Sequence, residues 1–232
     1  MTVLLYGLLA APADAEPPRG VRALDTAAGV AWVRTLAPAE TPTPEEQQAA
    51  LHAALQAGRT PLPARPGSRF DDDAALVAAL ARSADTWRSA LERVRDRVEM
   101  MVFVPTERRD SGLGTRDSGL GNCSPTSPKS RVPSPESRGR AYLERLRAQL
   151  APAPEAERWR TALRDAVGDL ATDDAVVVHP SGQGILVSHL VPRDREADYR
   201  ARVAAWRTAA GVARAVVVGP WPPFSFAADV SR

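Results

Sequence analysis

Cysteine, lysine and histidine are nearly missing from this 232-residue chain. Cys123 stands alone, so no internal disulfide can form and a reducing compartment is the natural one. It also has no histidine or cationic cluster nearby to hold a thiolate, which argues against a nucleophile. Lys129 is the only lysine, and aromatic residues make up just 5% of the chain. A nucleic-acid binder would cluster arginines on one face with aromatics between them for stacking, and no such cluster occurs. The net charge is +2, and the basic excess lies in one stretch, Thr106–Leu150, with nine Arg/Lys against five Asp/Glu. No apolar run approaches the ~20 residues that span a bilayer, so membrane insertion is not expected. The apolar opening, Thr2–Ala11, has no Lys or Arg before it. It therefore lacks the basic start of a signal peptide and reads as a buried first strand of a cytoplasmic protein.

Reactive groups are equally sparse. His52, His179 and His189 are the only histidines. His52 sits on a predicted helix with no ligating residue one turn on. His179 and His189 fall on one predicted hairpin, on the order of 13 Å apart by strand rise, too far to share a metal ion. They read as exposed or hydrogen-bonded structural histidines. No G-x-S-x-G, H-E-x-x-H or G-x-x-x-x-G-K-[ST] occurs. The run Asp71-Asp72-Asp73 is explained by capping of a helix start. No catalytic residue, cofactor site or metal site is expected. An enzyme would need a pocket between domains with polar groups converging from both halves.

What is present is the pattern of an α+β protein. Val3–Leu8, Val21–Leu24 and Gly29–Thr35 read as strands. Thr43, Pro44 and Glu46 predict a helix start with a capping box, ended by Gly58. From Asp71 onward, Leu76, Leu80, Ala84, Trp87, Leu91, Val94 and Val98 recur three or four apart, which predicts one long amphipathic helix over Asp72–Arg97. Val98–Val104 follows as a buried strand. The next stretch carries Arg109-Asp-Ser-Gly-Leu-Gly114 and again Arg116-Asp-Ser-Gly-Leu-Gly121, then prolines and serines, and predicts a flexible linker. Tyr142, Leu143, Leu146 and Leu150 make a helical stripe, as do Trp159, Leu163, Ala166, Val167 and Leu170. Ala175–Val178 and Gly184–Val191 read as a hairpin. A helix follows with Tyr199, Val203 and Trp206 on one face, and Ala213–Val218 is the last strand. The organisation is an N-terminal domain 1–104, a linker 105–138 and a C-terminal domain 139–232, both domains α+β.

Gly219-Pro-Trp-Pro-Pro-Phe-Ser-Phe226 packs three prolines and three aromatics into eight residues. Its prolines lack amide hydrogens, so it is not expected to continue the sheet. They also stiffen the backbone, so Trp221, Phe224 and Phe226 lose little entropy when placed against a surface. Two readings follow: a strap sealing the core of the second domain, or a preformed apolar hook for a partner protein.

This C-terminal block is similar to the hallmark of the gas vesicle F/L (GvpF/GvpL) proteins. Other blocks resemble the family in the same order: Leu5-Tyr6-Gly7; Leu62-Pro63-Ala-Arg65 before Gly67 and Phe70; Val98-Glu99; Gly139-Arg-Ala-Tyr-Leu143; and Leu190-Val191-Pro-Arg-Asp194. Pro66, where an aromatic is usual, and the duplicated linker depart from the pattern. The resemblance implies two α+β domains, the C-terminal one ferredoxin-like, and a non-enzymatic role in gas vesicle assembly. Its implied partners are the hydrophobic shell protein and other accessory proteins, with association with the vesicle. A minor structural component of the vesicle wall is the alternative, and a small-molecule enzyme the rival from another class.

Overall fold

The apolar opening run is buried because it lies inside a sheet covered on both faces. In this computed structural model, which describes residues 2–12, 16–37, 40, 42–105, 154–178 and 184–226, strand β1 (Thr2–Leu9) pairs antiparallel with β3 (Gly29–Leu36). Strand β3 also pairs with the edge strand β2 (Arg22–Thr26). On its other side β1 meets two short strands, β4 (Leu62–Pro63) and β5 (Arg69–Phe70). Alternate side chains of a strand face opposite ways. Val3, Leu5, Leu8, Ala31 and Val33 pack with helices α2 (Asp73–Arg82) and α3 (Ala84–Val94). Leu4, Tyr6, Leu9, Val30 and Trp32 face the other way and pack with helix α1 (Pro44–Gln56).

The ladder shifts register between Leu5 and Gly7. A Cβ on Gly7 would lie 2.6 Å from the Leu62 carbonyl oxygen, so glycine is what lets the strands approach there. Beside the shift, buried Gln47 of α1 donates to the carbonyls of Tyr6 and Ala64, both at 2.8 Å, and ties helix to sheet.

Two helix expectations need correction. The run over Asp72–Arg97 is two helices, broken at Ser83 (φ −128°, ψ 31°). Leu76, Leu80, Trp87, Leu91 and Val94 keep one buried face across the break, so their spacing carries no trace of it. The α1 capping box is also not made. Thr43 makes no side-chain cap, and Glu46 instead accepts from Arg34 at 2.5 Å. At α2 the carboxylates divide their work: Asp72 caps the Ala75 amide at 2.7 Å, and Asp73 pairs with Arg22.

The second sheet runs β7-β8-β6-β9, all antiparallel. It comprises β6 (Arg97–Pro105), β7 (Asp173–Val178), β8 (Gly184–Pro192) and β9 (Val216–Trp221). Helices α4 (Pro154–Val167) and α5 (Glu196–Ala209) pack on it, and the described elements follow the chain order β-α-β-β-α-β. Val98, Met100, Val102, Ile185 and Val187 line the helix face, against Leu163, Val167, Tyr199 and Val203. The sequence boundary at residue 104 groups Val98–Val104 with the first domain, but hydrogen bonding makes this strand central in the second sheet. An apolar run reports that a strand is buried, not which sheet it joins. The linker and the stripe Tyr142–Leu150 lie outside the described residues.

The end of the last strand is a further correction. β9 does not stop at Val218; it runs through Pro220 to Trp221, which pairs with Glu99 beyond a register shift. An edge strand at a bulge accommodates proline because that position need not donate to the ladder. Across the described residues the fold is thus α+β, with two antiparallel sheets and five helices.

A C-terminal strap across the two units

The Pro/aromatic segment closes the first unit, not the second. Phe226, 5% exposed, belongs to the cluster of Val3, Leu5, Leu76, Leu80, Trp87 and Val94. Half-buried Phe224 packs on the opposite cluster, around Leu4, Tyr6, Trp32 and Leu51. The reason lies in the second sheet. Its helix-free face carries Glu99, Ser188 and Leu190, and Leu190 already belongs to the first cluster. A chain leaving β9 opposite Glu99 therefore passes straight onto the first unit.

Polar contacts fasten the strap along this path. Glu99, 1% exposed, accepts from the Ser225 amide at 2.9 Å and from its hydroxyl at 2.5 Å. Ser188 Oγ lies 3.1 Å from Ser225 Oγ. Arg93 of α3 donates to the Phe226 carbonyl at 3.0 Å, and its other nitrogen faces Asp173 at 3.8 Å. Arg200 of α5 donates to the Gly219 carbonyl at 2.6 Å. Gly219 has φ +127°, and a Cβ there would meet the Glu99 carbonyl at 2.8 Å. Trp221 stands against His52 of α1, ring centroids 5.7 Å apart and tilted 51°, and its Nε1 and the His52 Nδ1 find no hydrogen-bond partner among the described residues.

The three aromatics singled out from the sequence are thus distributed. Trp221 and Phe224 are half-buried, and Phe226 is buried. Glu99, Ser188 and Arg93 were not singled out as site residues. The signals available for Glu99 were its acidic side chain inside the apolar run Val98–Val104 and its place in the family-like block Val98-Glu99.

The two described histidines sit in packed surroundings, His52 against Trp221 and His189 in the core of the second unit. His189 is wholly buried, with Nδ1 2.8 Å from the Tyr199 hydroxyl. Burial pushes its pKa down to about 4; nearby Asp174 pulls it up and Arg164 pushes it down. Burial also raises Tyr199. Asp174 itself is held by Arg160 and by Arg164, the latter at 3.1 Å. His179 and Cys123 lie outside the described residues. An open depression between the units is lined by Glu92, Arg95, Asp96, Arg97, Arg193 and Asp194. Its arginines are already engaged: Arg95 pairs with Glu92, Arg97 donates to the carbonyls of Arg93 and Arg95, and Arg193 donates to that of Leu55 at the end of α1. Among the described residues no helix is long and apolar enough to cross a membrane.

Residues 3–228 match the family described as gas vesicle synthesis protein GvpL/GvpF. No curated protein is significantly similar in sequence. In fold the chain is similar to the gas vesicle protein GvpF from Anabaena sp. PCC7120, with 16% identity, a TM-score of 0.64 and 98% of each chain covered. It is also similar to GvpF from Microcystis aeruginosa, with 14% identity, a TM-score of 0.60 and coverage of 98% of this chain and 99% of that one. With nearly its whole length matched, the chain belongs to the GvpL/GvpF family of gas vesicle synthesis proteins.

Proposed function

We propose that this chain is a non-enzymatic assembly factor that binds the hydrophobic gas vesicle shell subunit and supports vesicle nucleation or growth, in the cytoplasm and on the vesicle. The family match over residues 3–228 carries the reading. A client of this kind calls for a rigid apolar surface near charged rims, not for a reaction centre. The strap residues Trp221, Phe224 and Phe226 are the partner-binding element in this reading. Proline holds them stiffly, and the two half-buried rings lie where the two units meet. We read the second unit as ferredoxin-like, on the support of its β-α-β-β-α-β order and its strand order β7-β8-β6-β9. Its helices α4 and α5 are amphipathic in the same reading.

The test is co-expression of the tagged chain with the shell protein. Retention of the shell protein through purification supports the proposal, and its loss contradicts it. Washing the finished vesicles then separates a transient helper from a wall component: a helper leaves and a wall component stays.

A further inference from the structure

The strap is built like a ligand of the surface it covers. Its internal hydrogen bonds, Phe224 N–H to Pro222 O at 2.7 Å and Phe226 N–H to Pro223 O at 3.1 Å, hold its own tight turn. Its fastenings all run to distant residues: Ser225 to Glu99 across 126 positions, Phe226 to Arg93 across 133, and Ser225 to Ser188 across 37. The turn is closed by main-chain bonds of its own, apart from those that fasten it to its seat. The seat has a definite chemistry. A buried carboxylate takes an amide and a hydroxyl, a guanidinium takes the next carbonyl, and an apolar cluster takes the aromatic ring that follows the hydroxyl residue. Among the described residues, no lysine or arginine forms an ion pair with Glu99, so the strap's donors are what satisfies it.

We propose that this seat is a recognition site for a tight-turn segment of a partner protein that presents a hydroxyl residue followed by an aromatic, and that the strap fills the seat in the free protein as an internal pseudo-ligand. A second copy's strap is a poor competitor. It has the same chemistry as the tethered strap, which acts at the millimolar effective concentration of a short linkage. A foreign segment wins by contacts the strap lacks. The affinity seen from outside is reduced by the fraction of time the seat stands open. The inference rests on the reading that the chain captures an apolar protein client, and it places the capture in the seat instead of on the strap.

The test titrates a fluorescein-labelled, end-capped peptide copying residues 221–226 into the full chain and two full-length variants. Phe226→Ala empties the seat. Ser225→Asp sets a second carboxylate against Glu99 and loosens the strap without removing its ring. Both variants are expected to bind the peptide at least tenfold more tightly than the unaltered chain. Adding Glu99→Ala to Ser225→Asp is expected to abolish that gain. If Phe226→Ala fails to fold, Ser225→Asp decides alone. Equal binding by unaltered and loosened chains, or none by either, overturns the proposal. So does association, in light scattering, of Ser225→Asp chains with unaltered chains when neither associates alone, because the open seat then takes a second copy's strap. Co-purification with the shell protein can survive either failure, so the two readings fall separately.

Discussion

Ser225 and Glu99 lie 126 positions apart in the chain and are joined by two hydrogen bonds, 2.9 Å from the amide and 2.5 Å from the hydroxyl. Glu99 belongs to a central strand of the second sheet, while the residue after Ser225 is buried in the core of the first unit. One carboxylate thus helps hold both halves of the molecule together.

Removing that carboxylate is predicted to cost more than removing the hydroxyl. Glu99→Ala leaves the Ser225 amide without its acceptor, at a cost of about 1–3 kcal/mol. Ser225→Ala keeps the amide bond to Glu99 and loses the hydroxyl's contacts with Glu99 and Ser188, leaving the carboxylate one of its two donors. Glu99→Gln retains an acceptor and falls between them. Urea unfolding curves of the three variants give the order directly.

Phe226→Ala is expected to loosen the first unit selectively. Truncating a buried phenylalanine costs about 3–5 kcal/mol in a core that cannot collapse. The ring sits with residues of β1, β3, α2 and α3. Amide hydrogen exchange should therefore quicken in β1 and β3 before it does in α4 and α5. Uniform quickening across both sheets would contradict the packing described.

Gly219→Ala tests how the strap leaves the sheet. Glycine holds φ +127° there, and a Cβ would press on the Glu99 carbonyl at 2.8 Å. A non-glycine residue in this region carries about 1–3 kcal/mol of strain. The variant should melt at lower temperature and expose Trp221, read as a red shift of its fluorescence against the other four tryptophans replaced by phenylalanine.

His189 makes stability depend on pH. Its folded pKa of about 4 lies below the ordinary 6.5 because burial disfavours the charged ring. Between these values the unfolded chain binds a proton that the folded chain does not, so stability rises with pH. The contribution is complete above pH 6.5, falls as pH drops toward 4, and amounts to ~3 kcal/mol. His189→Gln should flatten the profile between pH 4 and 6.5 in denaturant titrations. An unchanged slope would show that His189 is not the group responsible.

Much of this architecture was legible in the sequence, and the gaps have physical causes. Val3–Leu8, Gly29–Thr35 and Gly184–Val191 announced strands because their apolar residues run nearly unbroken, as burial on both faces requires. The break at Ser83 was silent because the buried stripe from Leu76 to Val94 passes over it in phase. The short strands β4 and β5 leave no periodicity to read, and Glu46 was claimed by Arg34 through a contact twelve positions away. The unusual character of Gly219–Phe226 was visible. Its destination was not, since the prolines that stiffen it say nothing of which core receives Phe226. Glu99 shows the same limit: a lone acid in an apolar strand marks a buried partner, but Ser225 could be named only once the chain was folded.

Capture of the hydrophobic shell subunit is the proposed function of this chain. The most direct measurement is the yield of soluble shell protein bound to the affinity-tagged chain after co-expression, compared with an unrelated tagged protein of similar size. The account predicts a stable complex with the tagged chain and none with the control. Shell protein that partitions identically in the two cases would contradict it.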